Sequence, residues 1–201
     1  MTATVLLDFI ARFESRGNYN IVWGGIKKQH RPPKPLASMT IGQVLAWQDS
    51  IDPLYMSEAA GKYQIMEDTL RGLYREAGMT TSSMYDEAGQ DQLGVALLKR
   101  RGLDDYMSGR ISAEKFANSL AKEWASLPVV SGPKKGRSYY GGDGLNKSHV
   151  SVAEFMNAVK AIRTAPPAPQ LKPQTPPKKE TSCSICEWLS TLFSALWPGK
   201  G

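Results

Sequence analysis

The first apolar pattern of the chain repeats every three or four positions between residues 4 and 16. Its members are Val5, Leu6, Phe9, Ile10 and Phe13. This spacing predicts an N-terminal helix with one buried face. Glu14 follows the last apolar position, and Gly17 and the polar residues after it cannot continue the helix. The pattern therefore places one carboxylate at a helix end, where it can be half buried.

Five more segments carry helical signals, at 41–52, 68–77, 86–101, 112–125 and 151–162. Thr40, followed three residues later by Gln43, has the pattern of a capping box. Strand signals are weak: residues 19–23 are the best candidate, and residues 58–66 indicate a turn or short hairpin before the next helix. The body is therefore predicted to be mainly α, with a small irregular or β-containing patch around residues 17–65.

The chain changes character after residue 163. Prolines 166, 167, 169, 173, 176 and 177 favour an extended polyproline II linker, so the folded domain is predicted to span residues 1–163 and the linker 164–181. Residues 182–201 then form a predicted amphipathic helix whose apolar stripe runs from Ile185 to Trp197. This stripe could bind a membrane, dock onto a partner protein or fold back on the body; two tryptophans on one face favour the first two.

The 201 residues carry a net charge of +6, which suits an anionic polymer or surface as partner, with bacterial envelopes and nucleic acids as the candidates. The two cysteines, Cys183 and Cys186, lie in the tail, so the body needs no oxidising compartment. They are interpreted as ordinary helix residues, with lipid attachment or a redox pair left open. His30 and His149 lack matching ligand spacing, so we expect no metal and no cofactor. The N-terminus does not have the pattern of a secretory signal.

Glu14 is the candidate for acid–base chemistry, because burial raises a carboxyl pKa toward the range that a proton donor needs. Aromatic and amide side chains that stack on and hydrogen-bond to sugars follow it. The predicted substrate-binding residues are Tyr19, Asn20, Trp23, Lys62, Tyr63 and Gln64.

Four ordered motifs together resemble one known family. They are the segment 18–25, Ala60-Gly61-Lys62-Tyr63-Gln64, Gln90-Asp91 with Lys99-Arg100-Arg101-Gly102, and Trp124-Ala125-Ser126-Leu127-Pro128. The set resembles the lambda lysozyme type of phage endolysin, a lysozyme-like family of peptidoglycan lytic transglycosylases. Three regions depart from that family: the segment between Glu14 and Tyr19 is shorter, residues 27–52 differ, and residues 134–144 form an insertion.

The resemblance implies a two-lobed α+β lysozyme-like fold with a cleft between the lobes, and it implies that Glu14 is the catalytic acid. We expect cleavage of the β-1,4 bond between N-acetylmuramic acid and N-acetylglucosamine, with 1,6-anhydromuramic ends as the product. The alternatives are a muramidase that uses a second carboxylate, with Glu58 as its candidate, and a non-catalytic wall-binding virion protein. A nucleic-acid-binding protein would explain the charge but not the motifs.

The expected partner is bacterial peptidoglycan, with a possible membrane or protein contact through residues 185–197. We expect the protein to lie in the host cytoplasm and to act in the periplasm after the membrane is permeabilised, or else to be carried in the virion.

Overall fold

A computed structural model describes residues 2–141 and 148–164, and these residues form seven α-helices. The helices are α1 (Thr2–Glu14), α2 (Ile41–Ile51), α3 (Glu67–Glu76), α4 (Glu87–Arg100), α5 (Leu103–Met107), α6 (Ala113–Leu120) and α7 (Val152–Thr164). Short 3₁₀ helices occur at Lys28–His30, Leu36–Ser38 and Asp52–Leu54. The prediction of a mainly helical fold is confirmed. Within the described ranges, every helix is too short or too polar to cross a membrane.

Helix α1 lies against α4 and α7 and contributes a buried face to the core. That face consists of Leu6, Leu7, Ile10 and Ala11. Phe9 packs beside it, with its ring stacked on Phe155 of α7 at a centroid distance of 6.2 Å. The predicted stripe was wrong at Val5, which is 53% exposed, because the buried face is rotated toward Leu7 and Ala11.

Helix α2 begins with the predicted capping box. The Gln43 backbone amide donates to the Thr40 hydroxyl, and the Gln43 side chain accepts from the Thr40 amide. Farther along α2, the buried amide of Gln48 donates to the carbonyls of Glu58 and Ile65. Helix α2 thereby holds both ends of the 58–65 turn, and Ala60 and Ile65 exchange two backbone hydrogen bonds within that turn.

Three local predictions were wrong. Residues 19–23 do not form a strand: the antiparallel bridge between Val22 and Ala60 is isolated. The helix predicted over 112–125 ends at Leu120, and turns continue to bury Ala121 and Trp124, so apolar spacing outlasts the helix itself. Helix α5 was not predicted. Helix α4 ends before Gly102, as expected, but Gly102 adopts a left-handed conformation, with φ of 102°, and α5 begins directly after it.

The prediction of two lobes and of a domain spanning residues 1–163 stays a prediction. Thr164, predicted as the first residue of the linker, is the last residue of α7. The rest of the proline-rich linker, the C-terminal amphipathic helix and both cysteines lie outside the described residues.

Replacing Thr40 with alanine is expected to lower the free energy of unfolding by about 1 kcal/mol, because the capping box loses the acceptor for the Gln43 amide. Urea denaturation measures this change. Thr4→Ala on the exposed surface of α1 is the control, with an expected change within about 0.5 kcal/mol. Equal effects of the two substitutions would contradict a stabilising role for the cap.

Candidate active site

Glu14 is the last residue of α1, and the chain leaves the helix immediately after it. Arg16 and Gly17 both have positive φ, at 56° and 80°, which ends the helix within one turn. The Gly17 amide closes that turn by donating to the Ala11 carbonyl at 3.2 Å. The Glu14 side chain is therefore held at the C-terminal end of a helix whose other face is in the core.

The Glu14 carboxylate accepts a short hydrogen bond of 2.5 Å from the hydroxyl of Ser126, a residue 112 positions away in the sequence. Burial raises the pKa of Glu14 above its ordinary value of 4.5, although the Ser126 hydroxyl, the Ser126 amide and nearby His149 act in the opposite direction. The negative end of the α1 dipole also disfavours the anion. Glu14 is thus a carboxyl group with an increased tendency to hold its proton.

A cleft of about 530 Å³ opens in front of Glu14. Three predicted substrate-binding residues, Trp23, Tyr63 and Gln64, line this cleft together with Glu14. The lining also includes Ser57, Thr69, Leu97, Arg101, Lys122, Glu123, Trp124 and Tyr140, among others. Aromatic rings, amides and a protonatable carboxyl group that share one cleft form a surface suited to a polysaccharide.

Tyr63 and Gln64 are fixed in place by the turn that carries them. The Trp124 indole N–H donates to the Tyr63 carbonyl at 3.1 Å, and the Tyr63 hydroxyl donates to Asp91 at 2.7 Å. Gln64 has a φ of 49°, and its side chain donates to the Gly61 carbonyl. A left-handed non-glycine residue stores backbone strain, and such strain is typical of functional sites.

The position of the Trp23 ring depends on Gly25, two residues later in the chain. A Cβ atom at Gly25 would overlap the six-membered part of the Trp23 indole ring. The ring therefore lies directly over the backbone of residue 25, and only glycine leaves room for it. The Trp23 amide also donates to the Ala59 carbonyl at 3.0 Å, which ties this segment to the 58–65 turn.

Tyr19, Asn20 and Lys62 lie outside the cleft lining. The Lys62 side chain is 7% exposed, and its ammonium group donates to Asp8, Tyr19 and Asp91 at 3.0, 3.0 and 3.2 Å. Burial lowers the pKa of Lys62, but the hydrogen bonds to Tyr19 and Asp8 outweigh it and the net shift is upward. The Asn20 side chain accepts from the backbone amide of residue 37. These placements favour structural roles over the predicted sugar contacts.

Glu58, the candidate second acid, is buried and also lies outside the cleft lining. Its carboxylate accepts the backbone amide of Glu67, the first residue of α3, at 3.0 Å. A carboxylate at a helix N-terminus stabilises the helix by satisfying a free amide and by opposing the dipole. The observed contact gives Glu58 a structural function.

Comparison with known families matches residues 42–152, more than half of the chain, to a family model described as Endolysin. The chain belongs to the endolysin family. Comparisons with curated proteins and with solved structures give no match. The matched region includes Tyr63, Trp124 and Ser126, whereas Glu14 precedes it.

Endolysins lyse the bacterial cell wall during phage infection, so this chain is a peptidoglycan-degrading enzyme whose partner is bacterial peptidoglycan. Among the residues that the structure describes, no group of three or more His, Cys, Asp or Glu side chains could hold a metal ion.

Sequence reasoning missed two features of the endolysin cleft. The first feature is Ser126, which belongs to the Trp-Ala-Ser-Leu-Pro motif. The motif marked this residue, but its contact with Glu14 could not be predicted because the two residues lie 112 positions apart. The second feature is an ion pair in the cleft lining between Arg101 and Glu123, at 2.7 Å. These residues come from the end of α4 and the turn after α6, and only the folded chain brings them together.

The raised pKa of Glu14 predicts how stability depends on pH. Below about pH 4.5 the carboxyl group is protonated in both the folded and unfolded states. As pH rises through the folded-state pKa, the wild type loses stability because it must hold a partly buried anion. Glu14→Gln is neutral throughout, so its free energy of unfolding relative to wild type should increase from pH 4 to pH 7.

Urea denaturation at several pH values measures that difference. Glu114→Gln, which removes an exposed carboxylate from α6, is the matched control and should show no such gain at neutral pH. A Glu14→Gln difference that is constant from pH 4 to pH 7 would contradict the raised pKa.

Proposed function

We propose that this endolysin is a lytic transglycosylase that cleaves the β-1,4 bond between N-acetylmuramic acid and N-acetylglucosamine. The observation that carries the proposal is the position of Glu14: a partly buried carboxyl group of raised pKa, bonded to Ser126, at a cleft lined by Trp23, Tyr63 and Gln64. A general acid must hold a proton near neutral pH and must reach the leaving oxygen. The upward shift of the Glu14 pKa and the position of Glu14 at the cleft support this role.

In the first step the Glu14 carboxyl group donates its proton to the glycosidic oxygen while the bond from that oxygen to C1 of muramic acid breaks. The N-acetylglucosamine leaves as an alcohol, and positive charge develops at C1. In the second step the Glu14 carboxylate removes the proton from the 6-hydroxyl of the same muramic acid. The 6-oxygen bonds to C1, a 1,6-anhydro ring closes, and Glu14 regains its proton without consuming water.

Tyr63 and Gln64 are assigned to hold the sugar whose bond is cleaved, and Trp23 is assigned to stack on a neighbouring sugar. The two hydrogen bonds that fix Tyr63, from Trp124 and to Asp91, support this assignment because a rigid residue loses little conformational entropy on binding. Because Tyr63 is only 2% exposed, it acts mainly by fixing the turn, and the more exposed Gln64 and Trp23 provide most of the contact area for the sugar.

The alternative is a muramidase, which needs a second carboxylate roughly 5–10 Å from the first. Glu58 is poorly suited to that role because its carboxylate caps α3. Glu14 and Glu123 are the two carboxylates among the described residues that line the cleft. The Glu123 carboxylate, however, is paired with Arg101, and its side chain is only 10% exposed. The arrangement favours a reaction in which one carboxyl group serves first as acid and then as base.

Glu14→Gln is expected to lower the rate of muropeptide release from purified peptidoglycan by roughly 10²- to 10⁴-fold, the contribution of a general acid. Mass spectrometry of the wild-type products should show muropeptides lighter by one water than hydrolysis products. Hydrolytic products, together with an equally large loss in Glu123→Gln, would establish the muramidase instead. Equal release by wild type and Glu14→Gln would contradict the role of Glu14, and no release by either would indicate a non-catalytic wall protein.

We further propose that the endolysin accumulates in the host cytoplasm and reaches the wall after the membrane is permeabilised, or is carried in the virion. The apolar stripe of residues 185–197 would then contact the membrane or a partner protein. Deletion after residue 163 is expected to preserve activity on purified peptidoglycan and to weaken lysis of intact cells. If the truncated protein loses activity on purified peptidoglycan as well, the tail belongs to the enzyme body.

A further inference from the structure

A basic segment adjoins one side of the Glu14 cleft. We define the basic loop as residues 128–141, which lead away from the Trp-Ala-Ser-Leu-Pro motif. The loop is held in a compact fold by an antiparallel bridge between Pro128 and Ser138 and by a backbone hydrogen bond of 2.8 Å from Gly136 to Val129. Buried Val129, Val130 and Ser138 anchor it to the body.

The loop is connected directly to the cleft. Tyr140 is one of its residues and also lines the cleft, and its hydroxyl donates to the Lys122 carbonyl at 2.8 Å. Lys122 lines the cleft too, and its ammonium group lies 5.5 Å from the centre of the Tyr139 ring. A polymer bound in front of Glu14 would therefore pass beside the loop.

Four cations are concentrated here, namely Lys122, Lys134, Lys135 and Arg137, and all four are exposed. Within residues 121–141 the single acid is Glu123, which Arg101 already pairs. Among the described residues, none of the four cations has an acidic partner within salt-bridge distance. Lys134 and Arg137 donate to backbone carbonyls of Tyr139 and Pro133, contacts that order the side chains without neutralising them.

Unpaired cations beside a cleft that suits a polysaccharide are placed to bind an anion carried by the same polymer. In intact peptidoglycan the lactyl carboxyl group of muramic acid is joined to the stem peptide as a neutral amide, so the free carboxylates are those of the peptide. We propose that the basic loop, together with Lys122, binds the carboxylates of these stem peptides and makes the enzyme prefer glycan whose peptides carry them. Tyr139 and Tyr140, which are 37% and 46% exposed, add aromatic surface for the peptide. The inference rests on the proposed glycan cleavage.

The experiment compares kcat/KM on two substrates: intact glycan strands whose stem peptides have free carboxylates, and the same strands after a carbodiimide and ammonia have converted these carboxylates to amides. The second substrate keeps the peptides and the lactyl amide but loses the negative charge. The wild type should cleave the strands with free carboxylates faster. The double variant Lys134→Ala/Lys135→Ala should lower the ratio of the two kcat/KM values by about fivefold, the scale of two exposed ion pairs. The preference should also weaken as salt is raised.

The matched control is Lys99→Ala/Lys160→Ala, which removes the same charge from exposed positions on α4 and α7, outside the cleft lining. It should keep the wild-type ratio, and Lys134→Arg/Lys135→Arg should keep it as well. An unchanged ratio in Lys134→Ala/Lys135→Ala, an equal fall in the control, or a wild type with no preference would overturn the proposal. If the wild type cleaves neither substrate, the proposed function fails instead. A ratio is unaffected by the fraction of folded enzyme, so a poorly folded variant cannot mimic the expected result.

Discussion

The hydrogen bond between Ser126 and Glu14 is the contact on which the candidate active site depends. It joins the end of the first helix to a turn 112 residues later in the chain, and it holds the carboxyl group at the cleft. The Ser126 carbonyl in turn accepts the backbone amide of His149, so a third segment is tied to the same point. Burial favours the protonated acid while Ser126 and His149 limit the shift. This balance supports the proposed role of Glu14, in which the group first loses a proton and later regains it.

A second constraint acts behind the cleft, where Lys62 is buried among acids and tyrosines. Its hydrogen bonds to Asp8, Tyr19 and Asp91 connect α1, the segment after it and α4. The Tyr63 hydroxyl donates to the same Asp91, so the network fixes a residue of the cleft wall from behind. Loss of both acids would leave the buried ammonium group of Lys62 without a charged partner, which is costly. Lys62 therefore contributes to the cleft through the position of Tyr63.

The 58–65 turn is held in position by hydrogen bonds from several other elements. Gln48 of α2 holds both of its ends, Gln90 of α4 accepts the Lys62 amide, and Trp124 donates to the Tyr63 carbonyl. Gly61 must be glycine here, because its φ is 77° and a Cβ atom would overlap the Gln90 side chain. Three separate elements thus fix the positions of Tyr63 and Gln64 in the cleft lining. The basic loop adds positive charge beside this cleft, and it is separate from the hydrogen bonds that hold the 58–65 turn.

Six of the seven helices in the described residues, the Thr40 capping box and the choice of Glu14 as a candidate could be predicted from the sequence, because apolar spacing, caps and helix ends are local properties. The contacts that define the site are not local. Whether Lys62 faces sugar or is enclosed by Asp8 and Asp91, and whether Glu58 faces the cleft or caps α3, depends on which helices pack together. The sequence by itself determined which side chains were available for sugar chemistry. Only the tertiary structure decided which of them share a cleft with Glu14, because burial and hydrogen bonding between distant segments control both position and pKa.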